Sequence, residues 1–145
     1  MWINAPHIKK PIDQYFPAFI GSYTTNPGVN IGMHLYDWDG GVMGGEVDTD
    51  RGNFELTGGT LVVPWGQWFH AVMVYDGTTV TIYLNGEAGG SLPASGKLRT
   101  PTALAAGSHH SMYGLLRGTV DDVMIFDRAL SEEEITQLYT FQGGR

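Results

Sequence analysis

At 145 residues, with 42% hydrophobic and 16% charged residues, the chain has the size of one domain that buries about 70% of its unfolded surface. The absence of cysteine excludes disulfides, zinc–thiolate sites and a cysteine nucleophile. A net charge of −7, with Lys9-Lys10 as the only adjacent basic pair, argues against nucleic acid as a partner.

The sequence does not indicate in which compartment the chain is located. No apolar run approaches the roughly 20 residues of a membrane-spanning helix, and the first residues lack the basic, apolar and small-residue pattern of a signal peptide. The 21 glycines favour many short strands joined by turns, which is typical of an all-β domain. We therefore expect one domain over residues 1–145.

The first half of the chain predicts five strands separated by turn-forming residues. They cover residues 1–4, 16–23, 29–38, 42–48 and 53–63. Clusters of Asn, Pro, Asp and Gly at residues 25–28 and 50–52 break the apolar runs. A polar and aromatic loop, Asp37-Trp38-Asp39-Gly40-Gly41, connects the third and fourth strands.

A long hairpin is predicted at the centre of the chain. Two runs of β-branched and aromatic residues flank Asp76-Gly77, a pair typical of a two-residue type I′ turn. That turn places Tyr75 opposite Thr78 and His70 opposite Tyr83. One face is then wholly apolar, with Met73 opposite Val80, Ala71 opposite Ile82 and Phe69 opposite Leu84.

The second half predicts fewer regular elements. Residues 88–100 indicate a loop with at most a short strand, and residues 104–107 a short strand. Residues 115–126 predict the last long strand, apolar on both faces near its end as in the centre of a sheet. Ser131 and Glu134 form a capping box. They start a short helix with one apolar stripe, formed by Ile135, Leu138 and Tyr139.

Two stretches resemble laminin-G-like (concanavalin A-like) jelly-roll modules. The string from Trp68 to Gly86, W-x-H-x-V-x-V-Y-D-G-T-T-V-T-I-Y-L-N-G, is similar to the central hairpin of these modules. Residues 116–135 are similar to their closing strand and terminal helix. The resemblance covers residues 60–139 closely and implies a jelly-roll β-sandwich of two antiparallel sheets with one short C-terminal helix. It also suggests an extracellular or cell-surface location.

The start of the chain departs from the family pattern. Laminin-G-like modules usually reach an equivalent of Trp2 only after one or two earlier strands. The resemblance therefore implies an N-terminally shortened module with an uncovered sheet edge beside residues 1–4. Two-fold pairing is the commonest way to cover such an edge, which predicts a homodimer through the N-terminal strand or the sheet face around it.

Acidic residues at alternating positions give the strongest signal for an enzyme. Glu46, Asp48 and Asp50 resemble the E-x-D-x-E signature of jelly-roll endoglucanases, and retaining glycosidases need two carboxyls about 5.5 Å apart. The last acid is Asp rather than Glu, and Arg51-Gly52 behind it predicts that Asp50 leaves the strand. The alternative is a solvated strand end. His70 is interpreted as a packed histidine opposite Tyr83, with a general base or a ligand as the alternative. No pattern supports a serine hydrolase or a zinc protease.

Calcium and sugars are the ligands that the resemblance implies. Asp121 and Asp122 match the closing-strand acids that contribute to calcium sites in such modules. Because the usual N-terminal ligands are missing, we expect weak calcium binding at most. Aromatic residues in or beside predicted loops suit stacking on sugar rings, with neighbouring carboxylates as acceptors. This candidate ligand-binding set is Trp38, Tyr36, Asp37, Asp39, Trp65 and Tyr113.

Three functions follow from these patterns. The first is a non-catalytic recognition module for a carbohydrate or a cell-surface or extracellular protein. The second is a glycoside hydrolase using Glu46 and Asp50. The third is a structural module that oligomerises through an exposed edge. Each aromatic of the ligand-binding set has the alternative role of a half-buried anchor at a strand end.

Overall fold

The computed structural model describes residues 1–6, 17–23, 33–38, 41–57, 60–108 and 114–141, apart from the side chains of residues 34, 37 and 38. These residues form ten strands and one helix. The elements are β1 (Trp2–Asn4), β2 (Ala18–Tyr23), β3 (Met33–Trp38), β4 (Val42–Thr49), β5 (Gly52–Leu56), β6 (Trp68–Tyr75), β7 (Thr79–Leu84), β8 (Glu87–Pro93), β9 (Ala103–Ala106), β10 (Thr119–Asp121) and α1 (Glu132–Phe141).

The strands form two antiparallel five-stranded sheets that pack face to face. The first sheet has the order β10-β1-β6-β7-β8 and the second the order β5-β4-β3-β2-β9. Alternate residues of each strand point between the sheets, where Phe19, Leu35, Val47, Phe69 and Ile82 are fully or almost fully buried. The predicted jelly-roll sandwich of two antiparallel sheets with a short C-terminal helix is confirmed.

The central hairpin forms with the predicted faces but a different register. Ala71 pairs with Leu84 and Met73 with Ile82, two residues away from the predicted pairing, which was wrong. Asp76 causes the shift: its Oδ1 accepts the amides of Thr78 and Thr79, both at 2.8 Å. The two-residue turn is therefore Gly77-Thr78, and the φ of 95° at Gly77 suits the first central position of a type II′ turn. An even shift keeps each side chain on its face.

The first strand lies inside its sheet. Trp2 pairs with His70 of β6 on one side and with Asp121 of β10 on the other, and its side chain is 0% exposed. The expectation that residues 1–4 border an uncovered edge is therefore wrong. The edges of this sheet are β10 and β8.

The last strand is short and lies at an edge, so the predicted long central strand over residues 115–126 is wrong. Strand β10 ends at Asp121. Asp122 then adopts a positive φ of 47°, which takes the chain out of the ladder. The apolar residues that follow are 43–64% exposed. They are Val123, Met124, Ile125 and Phe126.

The bounds of two other predicted segments are corrected. Residues 87–93 form the strand β8 where mainly a loop was expected, because this segment pairs with β7. Its small residues leave room for Leu61. A Cβ placed on Gly89 would lie 1.6 Å from the Leu61 Cγ. Strand β5 ends at Leu56, seven residues before the predicted end at residue 63.

The C-terminal helix begins with the predicted capping box. The Glu134 amide donates to the Ser131 hydroxyl at 3.2 Å, and the Ser131 amide donates to Glu134 Oε2 at 2.9 Å. Arg128 also binds this carboxylate through two nitrogens. Ile135 is fully buried, and Tyr139 lies against Trp2 and His70. The apolar stripe therefore packs on the outer face of the first sheet.

Candidate functional site

The outer face of the second sheet carries a group of polar side chains on three neighbouring strands. Strand β4 points Val47 into the core, so its neighbours in the alternation, Glu46 and Asp48, point outward. Strand β5 points Phe54 inward and therefore Asn53 and Glu55 outward. With Tyr36 from β3, these residues form the outer-face cluster: Tyr36, Glu46, Asp48, Asn53 and Glu55.

Register brings the members of the outer-face cluster together. Glu46 pairs directly with Glu55 and Asp48 with Asn53. Asn53 Nδ2 donates to Glu46 Oε1 at 2.5 Å, and the Tyr36 hydroxyl donates to Glu55 Oε1 at 2.7 Å. Glu46 is thus held by a neutral donor from the adjacent strand β5, and Glu55 by one from β3, on the far side of β4. Both carboxylates keep acceptor capacity.

Burial and neighbouring charge shift the ionisation of two members. Burial raises the pKa of Glu46, the adjacent Glu55 and Asp48 act in the same direction, and the Asn53 hydrogen bond opposes them. Burial and the bond to Glu55 raise the pKa of the Tyr36 phenol well above its usual range. Tyr36 therefore remains a donor, and Glu46 holds a proton more strongly than an ordinary glutamate.

The predicted catalytic acids do not all share this face. Glu46 and Asp48 do, whereas Asp50 follows the strand and accepts the Lys97 amide at 2.9 Å. Asp48 lies 3.7 Å from Arg99 Nε, and the Arg99 amide donates to the Asp48 carbonyl. Asp48 and Asp50 thus hold residues 97–99 against the end of β4. The prediction that Asp50 leaves the strand is confirmed, because β4 ends at Thr49.

Two aromatics of the predicted ligand-binding set are held inside the structure. Tyr36 is 3% exposed, so its ring offers little area for stacking. Trp65 is half-buried, and its ring packs edge-on against Phe19 and Phe69 with centroid distances of 6.2 and 6.1 Å. In this arrangement both rings act as structural anchors, which is the role that the sequence analysis gave as the alternative to sugar stacking.

The rest of that set lies beyond what the structure describes. The backbones of Asp37 and Trp38 belong to β3, directly after Tyr36, but their side chains are not described. Asp39 and Tyr113 fall outside the described residues. Their roles stay predictions.

The predicted calcium ligands lie where β10 ends. The Asp122 amide donates to Asp121 Oδ1 at 2.8 Å, and both residues are half-buried. Within the described ranges, no group of three or more His, Cys, Asp or Glu side chains is placed to hold a metal ion. Calcium binding therefore stays a prediction.

His70 is packed, as interpreted from the sequence. It is 2% exposed, and its ring lies 5.2 Å from that of Trp2 and 6.2 Å from that of Tyr139. Its strand neighbour is not Tyr83; instead its amide donates to Asn85 Oδ1 at 2.8 Å. Burial, and secondarily the Met1 ammonium, lower the pKa of His70 to about 4.

Sequence reasoning missed Asn53 and Glu55. The signal was present, because Asn53, Phe54 and Glu55 alternate polar and apolar directly after a turn. Pairing this segment back onto residues 45–49 through the turn at residues 50–52 would have set Glu55 opposite Glu46.

In the part of the chain that the structure describes, no helix is long and apolar enough to cross a membrane.

Solved structures share this fold at low sequence identity. The receptor binding domain of botulinum neurotoxin type G matches with a TM-score of 0.63 and 13% identity, over 97% of this chain and 36% of that one. A heptameric SAP-like pentraxin from Limulus polyphemus gives 0.57 and 18%, over 98% and 82%. The binding domain of Paraclostridial Mosquitocidal Protein 1 gives 0.57 and 18%, over 97% and 36%. At these identities the matches establish the fold.

Sequence comparison identifies the family. No curated protein matches the chain. The laminin-G family profile Laminin_G_3, described as the concanavalin A-like lectin/glucanases superfamily, matches residues 1–136. This match takes in the central hairpin, the closing strand and the start of the terminal helix. The chain therefore belongs to the concanavalin A-like lectin/glucanases superfamily, in its laminin-G branch.

Proposed function

We propose that this chain is a non-catalytic recognition module that binds a carbohydrate or an extracellular protein through the outer face of its second sheet. The observation that carries the proposal is the outer-face cluster. Its carboxylates are positioned by Tyr36 and Asn53 before any ligand arrives, which reduces the cost of ordering them on binding.

The chemistry of the cluster favours a hydroxyl-rich ligand. Asn53 and Glu55 are exposed and lie next to each other on the outer face of β5. The Asn53 amide can donate and accept hydrogen bonds, and the Glu55 carboxylate can accept them. Sugar hydroxyls both donate and accept, so a carbohydrate satisfies such a mixed row more readily than an apolar or anionic ligand does. The backbone of Trp38 lies two residues beyond Tyr36 on β3, and an aromatic side chain is of the kind that stacks on sugar rings.

Structural relatives support the recognition part of the proposal. Two of the domains with this fold are a receptor binding domain of a neurotoxin and a binding domain of a mosquitocidal protein. The chain spans 36% of each of those two structures. They support a binding role for the fold and do not name a ligand for this chain.

A glycoside hydrolase is the second candidate, and one observation favours it. Glu46 faces Glu55 across the β4–β5 pair, and its raised pKa is the property of a general acid. The sequence pattern, however, uses Asp50 as the second carboxyl, and Asp50 follows the strand and accepts the Lys97 amide. Glu46 and Glu55 are each bound to a neutral side chain of the cluster, which favours binding without turnover.

Glycan-array screening of the purified chain, with and without calcium, tests the proposal. We expect binding to at least one glycan class, weakened about tenfold or more by Glu55→Gln. Glu133→Gln, an exposed acid on the terminal helix, is the matched control and should bind as the parent does. Retained affinity in Glu55→Gln would place the ligand elsewhere.

Trp38→Ala separates recognition from anchoring. We expect this variant to keep its melting temperature and to lose the binding that the array reveals. A large fall in melting temperature would identify Trp38 as an anchor of the fold.

Incubation with β-glucans, xylan and agar-like polymers should release no reducing sugar. Release that disappears in Glu46→Gln would instead establish the hydrolase.

A further inference from the structure

The turn between β7 and β8 consists of only two residues, Asn85 and Gly86. Their φ angles are positive, 53° and 84°, and Leu84 pairs with Glu87 across the turn. This is the type I′ geometry that an Asn-Gly pair favours. The sequence contains an Asn-Gly pair only here, and glycine allows close approach to its main chain because it has no side chain. At this position an asparagine side chain can therefore reach the main-chain nitrogen of the next residue.

The side chain of Asn85 takes the place of a main-chain acceptor in the sheet. The Asn85 amide donates to the His70 carbonyl at 2.8 Å, and the His70 amide donates in return to Asn85 Oδ1, also at 2.8 Å. In a regular antiparallel pair the second bond would end on the main-chain carbonyl. The ladder between β6 and β7 thus holds the carbonyl oxygen of the Asn85 carboxamide in a fixed position.

The two nitrogen atoms beside this carbonyl group are not held in the same way. Within the described ranges, the main-chain nitrogen of Gly86 donates no hydrogen bond, and neither does the side-chain nitrogen Nδ2 of Asn85. Both residues are half-buried, so water reaches the turn. The structure therefore fixes the oxygen of the carboxamide and leaves its nitrogen and the neighbouring main-chain nitrogen available for a reaction.

This arrangement has the parts that ring closure between a side chain and the main chain needs. The nucleophile is the Gly86 nitrogen after it has lost its proton to hydroxide, and the electrophile is Asn85 Cγ. Negative charge develops on Oδ1 as the new bond forms, and the His70 amide already donates to that atom. A fixed N–H donor at the oxygen where charge develops stabilises such a transition state.

We propose that Asn85 is a site of spontaneous modification in the folded chain, where the Asn85-Gly86 turn converts through a cyclic imide to aspartate and isoaspartate. The Gly86 nitrogen bonds to Asn85 Cγ, the bond from Cγ to Nδ2 breaks, and Nδ2 leaves as ammonia with the proton that Gly86 lost. Water then cleaves the bond from the ring nitrogen to Cγ, which gives aspartate, or to the main-chain carbonyl carbon, which gives isoaspartate. The net reaction consumes one water molecule, releases one ammonia molecule and involves no oxidation. This site lies apart from the outer-face cluster, and the proposal is independent of the proposed function.

The two products differ in their effect on the terminal helix. Aspartate keeps a side-chain oxygen where the His70 amide donates, so the turn is retained. Isoaspartate carries the main chain through Cβ and adds one carbon atom to the turn. Gly86 lies against α1, since a Cβ placed on it would be 3.4 Å from Tyr139 Cδ1 and 3.7 Å from Thr136 Cα. The longer turn therefore presses on Tyr139 and loosens the contact of α1 with the first sheet.

Peptide mapping by mass spectrometry, after incubation of the purified full chain near pH 8, tests the proposal. We expect conversion at Asn85 to be about tenfold or more faster than at Asn4 and Asn53. These two asparagines are the internal controls, because neither precedes glycine and the Nδ2 of Asn53 is bound to Glu46. Conversion at Asn85 that is absent, or no faster than at Asn53, would overturn the proposal.

Low concentrations of urea show whether the folded chain is the species that reacts. Below the unfolding transition, the rate at Asn85 should stay constant although the small unfolded fraction grows. A rate that rises in step with that fraction would overturn the proposal, since the reaction would then require the turn to open.

The variant Asn85→Asp provides the reference for the aspartate product. It should melt close to the parent, whereas the isoaspartate fraction, separated by chromatography, should melt at a lower temperature. Equal melting of the isoaspartate fraction and the variant would overturn the proposed effect on α1.

Discussion

The indole ring of Trp2 stacks on the phenol ring of Tyr139, with centroids 5.7 Å apart and planes inclined by 24°. His70 lies against both rings. The stack therefore joins β1, β6 and the terminal helix on the outer face of the first sheet. Trp2 is 0% exposed, because the helix covers the face to which its ring points.

Removing the Tyr139 ring should destabilise the fold through this stack. We expect Tyr139→Ala to lower the free energy of unfolding by about 1–3 kcal/mol, since a half-buried ring and its aromatic contacts are lost. Phe141→Ala on the same helix removes a ring that is 91% exposed and should change it by less than about 0.5 kcal/mol. Urea unfolding measures both, and equal losses would contradict the role of the stack.

The buried histidine predicts a specific pH dependence. The pKa of His70 is about 4 in the folded chain against 6.5 as its usual value. Between these values the unfolded chain binds a proton that the folded chain does not, so the free energy of unfolding falls as the pH drops from 6.5 to 4. His70→Phe keeps a ring in the stack and should remove this part of the slope.

Melting curves of the two proteins from pH 7.5 to pH 4 make the comparison. Because the pKa of Glu46 is raised in the fold, this residue makes the free energy of unfolding rise as the pH falls. Its contribution is the same in both proteins. Arg128 holds the pKa of Glu134 down at about 2, so the stabilisation from that acid is lost only below pH 4.5. Parallel curves for parent and His70→Phe would show that His70 is protonated as easily in the fold as outside it.

The close approach of Leu61 to β8 predicts that Gly89 tolerates no side chain. We expect Gly89→Ala to lower the free energy of unfolding by about 1–3 kcal/mol, because the new methyl group overlaps the Leu61 side chain. Leu61→Ala should relieve the overlap, so the double variant should be more stable than the sum of the single effects indicates. Additive losses in the double-mutant cycle would contradict this explanation.

Calcium binding should be weak. Asp121 and Asp122 are the predicted ligands, and no third acidic or histidine side chain joins them within the described ranges. Calorimetric titration with calcium chloride should therefore show no micromolar site. A micromolar or tighter site that is lost in Asp121→Asn or Asp122→Asn would overturn the prediction, and Asp127→Asn is a nearby control.

Local patterns in the sequence determined much of the sandwich. Alternating apolar residues set the inward face of the hairpin, and Ser131 with Glu134 set the start of the helix, because these signals act between residues close in the chain. The hairpin register was missed by two residues, since it depends on which groups the Asp76 carboxylate binds. Glu46 was found as a candidate, whereas Glu55 was not, because only strand pairing brings them together.

Tertiary structure alone decided the surroundings of the candidate site and of the apolar segment after β10. A run of apolar residues such as 123–126 predicts a central strand, yet a strand forms only where a neighbour supplies hydrogen bonds, and β10 ends at Asp121. Trp2 is buried between two strands, a position that no pattern in residues 1–4 specifies. Pairing between distant segments thus fixed the outer-face cluster, whereas periodicity fixed only which side of each strand faces the core.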